Sequence, residues 1–237
     1  MAEILLGSIP NGSNRLEGYV ARPAGPGPWP GVVAIHEAWG LDDVMRRQAD
    51  RLAAAGYLTL APDLFSDGGA VRCVAATMRS LVIARGKPFA DIEASRSWLD
   101  AQGDCTGKIG IIGFCMGGGF ALAVADTGFD VASVNYGILP RNADGALAQS
   151  CPIVASYGAK DFGASKTVRR LDETLTKFGV EHDVKLYPQA GHSFLNDAPN
   201  GPRPLRPLLK VLHMGPEPAS AADAWHRIEE FFAAHLA

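Results

Sequence analysis

The chain contains 237 residues, of which 47% are hydrophobic and 20% are charged, and its formal net charge is −3. This is the composition of an ordinary globular protein, and no concentrated basic patch suggests a nucleic-acid partner. The first residues, M-A-E-I-L-L-G-S, lack the basic segment of a signal peptide, and no run of about 18 apolar residues predicts a membrane span. We therefore expect a cytoplasmic protein with no membrane partner.

Apolar segments alternate with amphipathic segments along most of the chain, which predicts strands alternating with helices. The predicted strands are 3–8, 16–22, 31–36, 57–63, 108–114, 131–137, 153–158 and 182–188. The predicted helices are 42–56, 89–100, 120–126, 165–179 and 222–236. Such alternation requires crossover connections, so it predicts an α/β fold with a mainly parallel sheet covered by helices on both faces. We see no internal repeat or linker and expect one domain over residues 1–237.

One cysteine lies within a dense cluster of glycines, G-F-C-M-G-G-G at residues 113–119. The first five residues fit the pattern G-x-nucleophile-x-G between a predicted strand and a predicted helix, the context of a nucleophile elbow. Small neighbours allow the strained turn, and the N-terminus of a helix favours a thiolate and a developing oxyanion. The alternative is a glycine-rich turn around a small buried cysteine.

Partners for Cys115 favour the first interpretation. In such a fold, an orienting acid and then a base should follow the nucleophile in loops after later strands. Asp161 follows the predicted strand 153–158, and His192 follows the last predicted strand. Taken alone, Asp161 could cap a helix and His192 could be a solvated loop histidine. Their order and their positions at strand ends together predict a Cys115–His192–Asp161 triad.

Three motifs, G-F-C-M-G-G, Y-G-A-K-D and A-G-H-S-F, make the chain resemble the dienelactone hydrolase family, cysteine-dependent α/β-hydrolases of the carboxymethylenebutenolidase type. The family pattern extends over nearly the whole chain, and its cysteine is specific because most relatives with this fold carry serine there. The resemblance implies an α/β-hydrolase fold with Cys115 as the nucleophile, His192 as the base and Asp161 as the orienting acid.

The resemblance also implies a role for the loop H-E-A-W-G, which supplies Glu37. A carboxylate near Cys115 opposes the thiolate, so it would keep the resting thiol protonated until substrate displaces it. The alternative is a solvated loop carboxylate. The backbone N–H groups of Ala38 and Met116 would bind the oxyanion.

Recognition of substrate is predicted less completely. Members that hydrolyse dienelactone hold its carboxylate with two arginines, and one of those positions is occupied here by Asn196. The other lies on the helical segment after P-D-L, where Arg72 or Arg79 would serve. Trp39 and Phe194, which lie in the motifs around Glu37 and His192, are further predicted substrate contacts.

Residues 196–220 interrupt the alternating pattern because they contain six prolines, and they predict a long loop near the active site. This loop, which carries Arg203 and Arg206, either roofs the pocket and alters specificity or is a peripheral excursion.

The leading hypothesis is therefore a hydrolase that opens a small-molecule lactone or ester through a thioester intermediate. The alternative is a redox-sensing or ligand-binding protein on a hydrolase scaffold. The spacing of the four cysteines lacks a C-x-x-C pair, so we expect neither a zinc site nor any other cofactor. Both a monomer and a homodimer remain open.

Overall fold

The computed structural model describes residues 2–199 and 201–237 and is built on an eight-stranded sheet. The strands are β1 (Ala2–Gly7), β2 (Leu16–Ala21), β3 (Trp29–Ile35), β4 (Leu58–Pro62), β5 (Cys105–Phe114), β6 (Val131–Asn135), β7 (Ile153–Gly158) and β8 (His182–Tyr187). Their order in the sheet is β1-β2-β4-β3-β5-β6-β7-β8. The two pairs that involve β2 are antiparallel, and every later pair is parallel. The predicted mainly parallel sheet is confirmed.

Helices flank both faces of this sheet. They are α1 (Asp43–Ala54), α2 (Ala70–Ile83), α3 (Lys87–Asp100), α4 (Met116–Ala123), α5 (Ala143–Leu147), α6 (Ala164–Phe178), α7 (Arg206–Val211) and α8 (Pro218–Leu236). A side chain at Gly110 of β5 would point at Phe232 and Leu236 of α8, whereas one at Gly113 would point at α4. Because side chains three residues apart on a strand point to opposite faces, α4 and α8 cover opposite faces of β5.

Prolines led to the main error in the sequence-based assignment. Residues 196–220, predicted as one loop, contain a 3-10 turn at Arg203–Leu205 and all of α7, and α8 begins at Pro218. Each of these elements has a proline at its first or second position, where the missing N–H costs nothing and the fixed φ favours a helix. Helix α5 was also not predicted, and α4 begins four residues before its predicted start.

Glycines allow α4 to approach the ends of the central strands. A Cβ atom at Gly117 would lie 2.2 Å from the carbonyl oxygen of Ile35 in β3, and one at Gly113 would lie 2.0 Å from the carbonyl oxygen of Gly117. Both obstacles are backbone atoms, which cannot rotate away. The glycine cluster therefore fixes the start of α4 against β3 and β5.

We expect Gly117→Ala to lower the free energy of unfolding by about 1–3 kcal/mol or more, because the added methyl group overpacks a backbone contact. Urea unfolding measures the change. Gly103→Ala is the matched control, since a Cβ there meets nothing within 4 Å, and we expect it to alter stability by less than about 0.5 kcal/mol. Equal stability of the two variants would contradict the contact.

Candidate active site

The predicted nucleophile lies at a sharp backbone turn between β5 and α4. Cys115 has φ 55° and ψ −113°, and its N–H donates to the carbonyl oxygen of Asn135 (3.0 Å). A non-glycine residue in this region costs about 1–3 kcal/mol and persists only where its surroundings enforce it. The strained turn leaves the Cys115 side chain partly exposed at the N-terminus of α4. This is the geometry of a nucleophile elbow.

Asp161 and His192, which are 31 residues apart in the chain, meet beyond the ends of β7 and β8. The Nδ1 atom of His192 lies 2.6 Å from Oδ2 of Asp161, and the imidazole is largely buried. Asp161 is not a helix cap, because α6 begins after Gly163 with no side-chain capping bond. Since Nδ1 faces the carboxylate, Nε2 is the ring nitrogen that remains for Cys115.

The pKa of His192 results from opposing effects. Burial alone would lower it, but hydrogen bonds to Asp161 and Cys115, together with the negative charges of both groups, raise the pKa well above its ordinary value. Contact with Asp161 and Cys115 therefore favours the imidazolium form.

Glu37 is buried beside the same site, with only 2% of its surface exposed. Asn196 Nδ2 donates to Glu37 Oε1 (3.3 Å). Tyr136, which was not predicted, is also nearby: burial, then the charges of Glu37 and Cys115, raise the pKa of its phenol well above the usual value. Its φ of 44° is a second strained backbone angle at this site. The predicted strand 131–137 includes Tyr136, whereas β6 ends at Asn135, so the sequence contained no signal that Tyr136 follows a strand end.

His36 holds the loop that carries Glu37. Its Nδ1 donates to the carbonyl oxygen of Glu37 (2.6 Å), and its Nε2 accepts from the N–H of Leu64 (3.0 Å). The two contacts hold the imidazole between the Glu37 carbonyl oxygen and the Leu64 N–H. They position the start of the turn from Glu37 to Gly40, which includes Ala38, one of the two predicted oxyanion donors. The other, Met116, is the first residue of α4.

The model of the dienelactone hydrolase family matches residues 16–236, nearly the whole chain. The chain belongs to the dienelactone hydrolase family. It is thus a hydrolase of the ester or lactone type, which confirms the enzyme interpretation over a redox sensor or a binding protein.

Curated proteins and solved structures agree with this assignment. A protein of Escherichia coli (strain K12) named "Putative carboxymethylenebutenolidase" is 29% identical over 95% of this chain and 84% of its own length. The crystal structure of a dienelactone hydrolase-like promiscuous phosphotriesterase from metagenomic libraries is 25% identical, with a TM-score of 0.83 over 100% of this chain and 99% of that one. The dienelactone hydrolase of Anabaena variabilis has the same fold, with a TM-score of 0.72, 18% identity and coverage of 100% and 98%. The predicted α/β-hydrolase fold is confirmed.

Arg72 and Arg79 lie on the exposed face of α2. They are seven residues apart, which places them on one side of the helix, and Arg79 lines a surface depression with Ala75, Ala76 and Ile83. Neither Cys115, Asp161 nor His192 lines that depression. Binding of a substrate carboxylate by either arginine stays a prediction.

Two aromatic residues that were predicted to contact substrate lie in different surroundings. Phe194 is fully buried, and its ring packs against Tyr136 and Tyr187 at centroid distances of 5.8 and 5.1 Å. The structure therefore gives Phe194 a packing role beneath His192. Trp39 is partly exposed and lines a cavity of about 650 Å³ beside residues 199–217.

A second, open cavity of about 400 Å³ lies next to the Asp161–His192 pair. Asp161, His192 and Tyr136 line it, together with apolar side chains that include Ile138 and the fully exposed Phe162. A concave, partly apolar surface beside Asp161 and His192 suits a small ester or lactone.

Residues 2–199 and 201–237 include no group of three or more histidine, cysteine or acidic side chains that could hold a metal ion. Within the same residues, no helix is both long and apolar enough to cross a membrane.

Proposed function

We propose that this dienelactone hydrolase cleaves a lactone or ester with a Cys115–His192–Asp161 triad through a thioester intermediate. The contact of His192 with both Asp161 and Cys115, next to a strained elbow, is the observation that carries the proposal. It provides a nucleophile, a base and an orienting acid in one chain of contacts.

In the first half of the reaction, Cys115 passes its proton to Nε2 of His192 and its sulfur attacks the substrate carbonyl carbon. The carbonyl oxygen becomes an oxyanion, which accepts hydrogen bonds from the N–H groups of Met116 and Ala38. When this intermediate collapses, the bond to the leaving oxygen breaks, and His192 gives its proton to that oxygen. The products of this half are an alcohol or enol and an acyl thioester on Cys115.

In the second half, water replaces the alcohol. His192 removes a proton from water, and the resulting hydroxide attacks the thioester carbonyl carbon. The carbon–sulfur bond then breaks, and the proton on His192 returns to the thiolate. The carboxylic acid leaves, and Asp161 stabilises the imidazolium in both halves.

Trapping of the thioester tests this proposal directly. The enzyme is mixed with 4-nitrophenyl acetate, quenched in acid within milliseconds and analysed by mass spectrometry of its peptides. We expect an acetyl group on the peptide that contains Cys115, and we expect hydroxylamine to remove it. Turnover without any acylated cysteine would contradict a covalent route.

We expect Glu37→Gln to raise the rate at which iodoacetamide alkylates Cys115 by several-fold, because it removes a negative charge that opposes the thiolate. Oxidation by peroxide should accelerate as well, since it follows thiolate character. Glu173→Gln, an exposed carboxylate on α6, is the matched control and should leave both rates unchanged. An unchanged or slower alkylation rate in Glu37→Gln would show that Glu37 does not restrain the nucleophile.

A further inference from the structure

Residues 197–199 and 201–217, named the bridge here, are fastened at both ends beside the predicted active site. At its start, the carboxylate of Asp197 accepts two hydrogen bonds from Arg47, at 2.5 and 2.8 Å. At its end, the N–H of Gly215 donates to the carbonyl oxygen of His192 (2.8 Å), and His192 and Met214 form a parallel β-bridge. The bridge is therefore held in place next to the predicted base.

A cavity of about 650 Å³ lies between this bridge and the body of the protein. Four cationic side chains line it, and only one carboxylate, that of Glu217, does so. The cations are Lys160, Arg203, Arg206 and Lys210. Among residues 2–199 and 201–237, none of these four takes part in an ion pair, although the chain as a whole has a net charge of −3. Positive charge therefore predominates among the ionisable side chains that line the cavity.

The bridge contributes three of the four cations that line the cavity, together with the apolar side chains of Pro207, Leu209 and Met214. Arg203, Arg206 and Lys210 are three and four residues apart, as on one face of a helix. Large apolar side chains next to them are exposed by 44–73%, namely Leu205, Leu208, Val211 and Leu212. The cavity therefore combines apolar walls with cations that reach solvent, a setting that suits an organic anion.

The cavity lies beside the loop that carries His192 and the loop that carries Ala38. Gly191, directly before His192, lines it, and so does Trp39, directly after the predicted oxyanion donor Ala38. No residue of α4 or of the Cys115 turn lines it. Because His192 gives its proton to the leaving oxygen, a cavity beside the His192 loop receives the part of the substrate attached to that oxygen.

We propose that this electropositive cavity binds an anionic group, a carboxylate or a phosphate, on the leaving-group part of the substrate. The proposal rests on the ester hydrolase function proposed above and names its substrate class. Asn196 carries no charge, so in this chain the cations of the bridge bind the anion in place of a cation at position 196.

The kinetic test compares two acetate esters that differ by one carboxylate on the leaving group, 5-acetoxy-2-nitrobenzoate and 4-nitrophenyl acetate. Each kcat/KM is divided by the rate of the same ester with hydroxide. We expect the wild type to prefer the anionic ester by about tenfold or more, as charge-assisted contacts do. Arg203→Gln/Lys210→Gln should abolish this preference and leave hydrolysis of 4-nitrophenyl acetate within about twofold.

Two controls make this result specific. Arg85→Gln/Arg169→Gln removes the same charge from exposed sites outside the cavity and should preserve the preference. With mono-4-nitrophenyl glutarate, whose carboxylate is on the acyl part, the double variant at Arg203 and Lys210 should behave like the wild type. Equal losses in both double variants, or an equal loss with the glutarate, would overturn the assignment to this cavity.

Binding of the product anion separates this proposal from the thioester mechanism. Calorimetry should detect 5-hydroxy-2-nitrobenzoate on the wild type and on Cys115→Ala, but at least tenfold weaker on Arg203→Gln/Lys210→Gln. Phthalate or inorganic phosphate should displace it. If the anion binds in this way but no thioester forms, the triad fails and the cavity stands. If esters are hydrolysed but the anion does not bind, or neither competitor displaces it, the cavity proposal is wrong.

Discussion

Replacement of Cys115 with alanine is expected to reduce ester hydrolysis by about 10⁶-fold, as loss of the nucleophile does in a comparable triad. The variant has no sulfur to form the thioester, so only the backbone donors and substrate binding remain. The measurement is kcat with 4-nitrophenyl acetate and with a panel of lactones. Circular dichroism should match that of the wild type, because a cysteine-to-alanine change fits the same turn.

The other three cysteines provide matched controls for this experiment. Burial raises the pKa of each of these thiols, to about 12 for Cys151 and by less for Cys73 and Cys105. Their protonated thiols are weak nucleophiles at neutral pH. We expect Cys73→Ala, Cys105→Ala and Cys151→Ala to retain full activity, and full activity in Cys115→Ala would end the thioester mechanism.

Asp161→Asn is expected to reduce kcat by about 10⁴-fold, as loss of the orienting acid does in related triads. It should also lower the pKa of His192. The negative charge of Asp161, which stabilises the imidazolium, is then lost, whereas burial still disfavours the imidazolium. NMR titration of the imidazole measures this pKa, and steady-state kinetics measure kcat. His192→Ala should be at least as inactive.

A second histidine–aspartate pair, away from the site, supplies the control. His182 Nε2 lies 3.3 Å from Oδ1 of the exposed Asp172. Asp172→Asn removes the same charge from the same kind of pair and should leave kcat unchanged. Normal activity in Asp161→Asn, with an unchanged pKa for His192, would remove Asp161 from the mechanism.

The raised pKa of His192 also predicts how stability depends on pH. Its protonated form is favoured in the folded state, so this contribution is fully present below the unfolded-state pKa of about 6.5. The contribution is lost as pH rises through the higher folded-state pKa. Asp161→Asn should reduce the stability difference between acidic and alkaline solution, which denaturant unfolding at several pH values measures.

The sequence was most informative where parallel strands end. Cys115, Asp161 and His192 were predictable as neighbours because each follows a strand of a sheet whose carboxyl ends share one edge. Tyr136 occupies an equivalent position after β6, but tyrosine has no single expected role there, and only the fold reveals its approach to Glu37. The position of Arg203 and Lys210 at one cavity was also hidden, because the prolines around them predict a loop and not a helix.

The close contact between Gly117 and the carbonyl oxygen of Ile35 affects which parts of this enzyme can change during evolution. It ties the start of α4 to the end of β3 through main-chain atoms alone. Met116 begins α4 and Ala38 follows the end of β3, so the spacing of these two predicted oxyanion donors depends on this main-chain contact and on His36, and not on the side chains of the pocket walls. Substitutions in the bridge or in the pocket walls can alter which ester is accepted without disturbing that spacing, so substrate range and catalytic alignment can evolve independently.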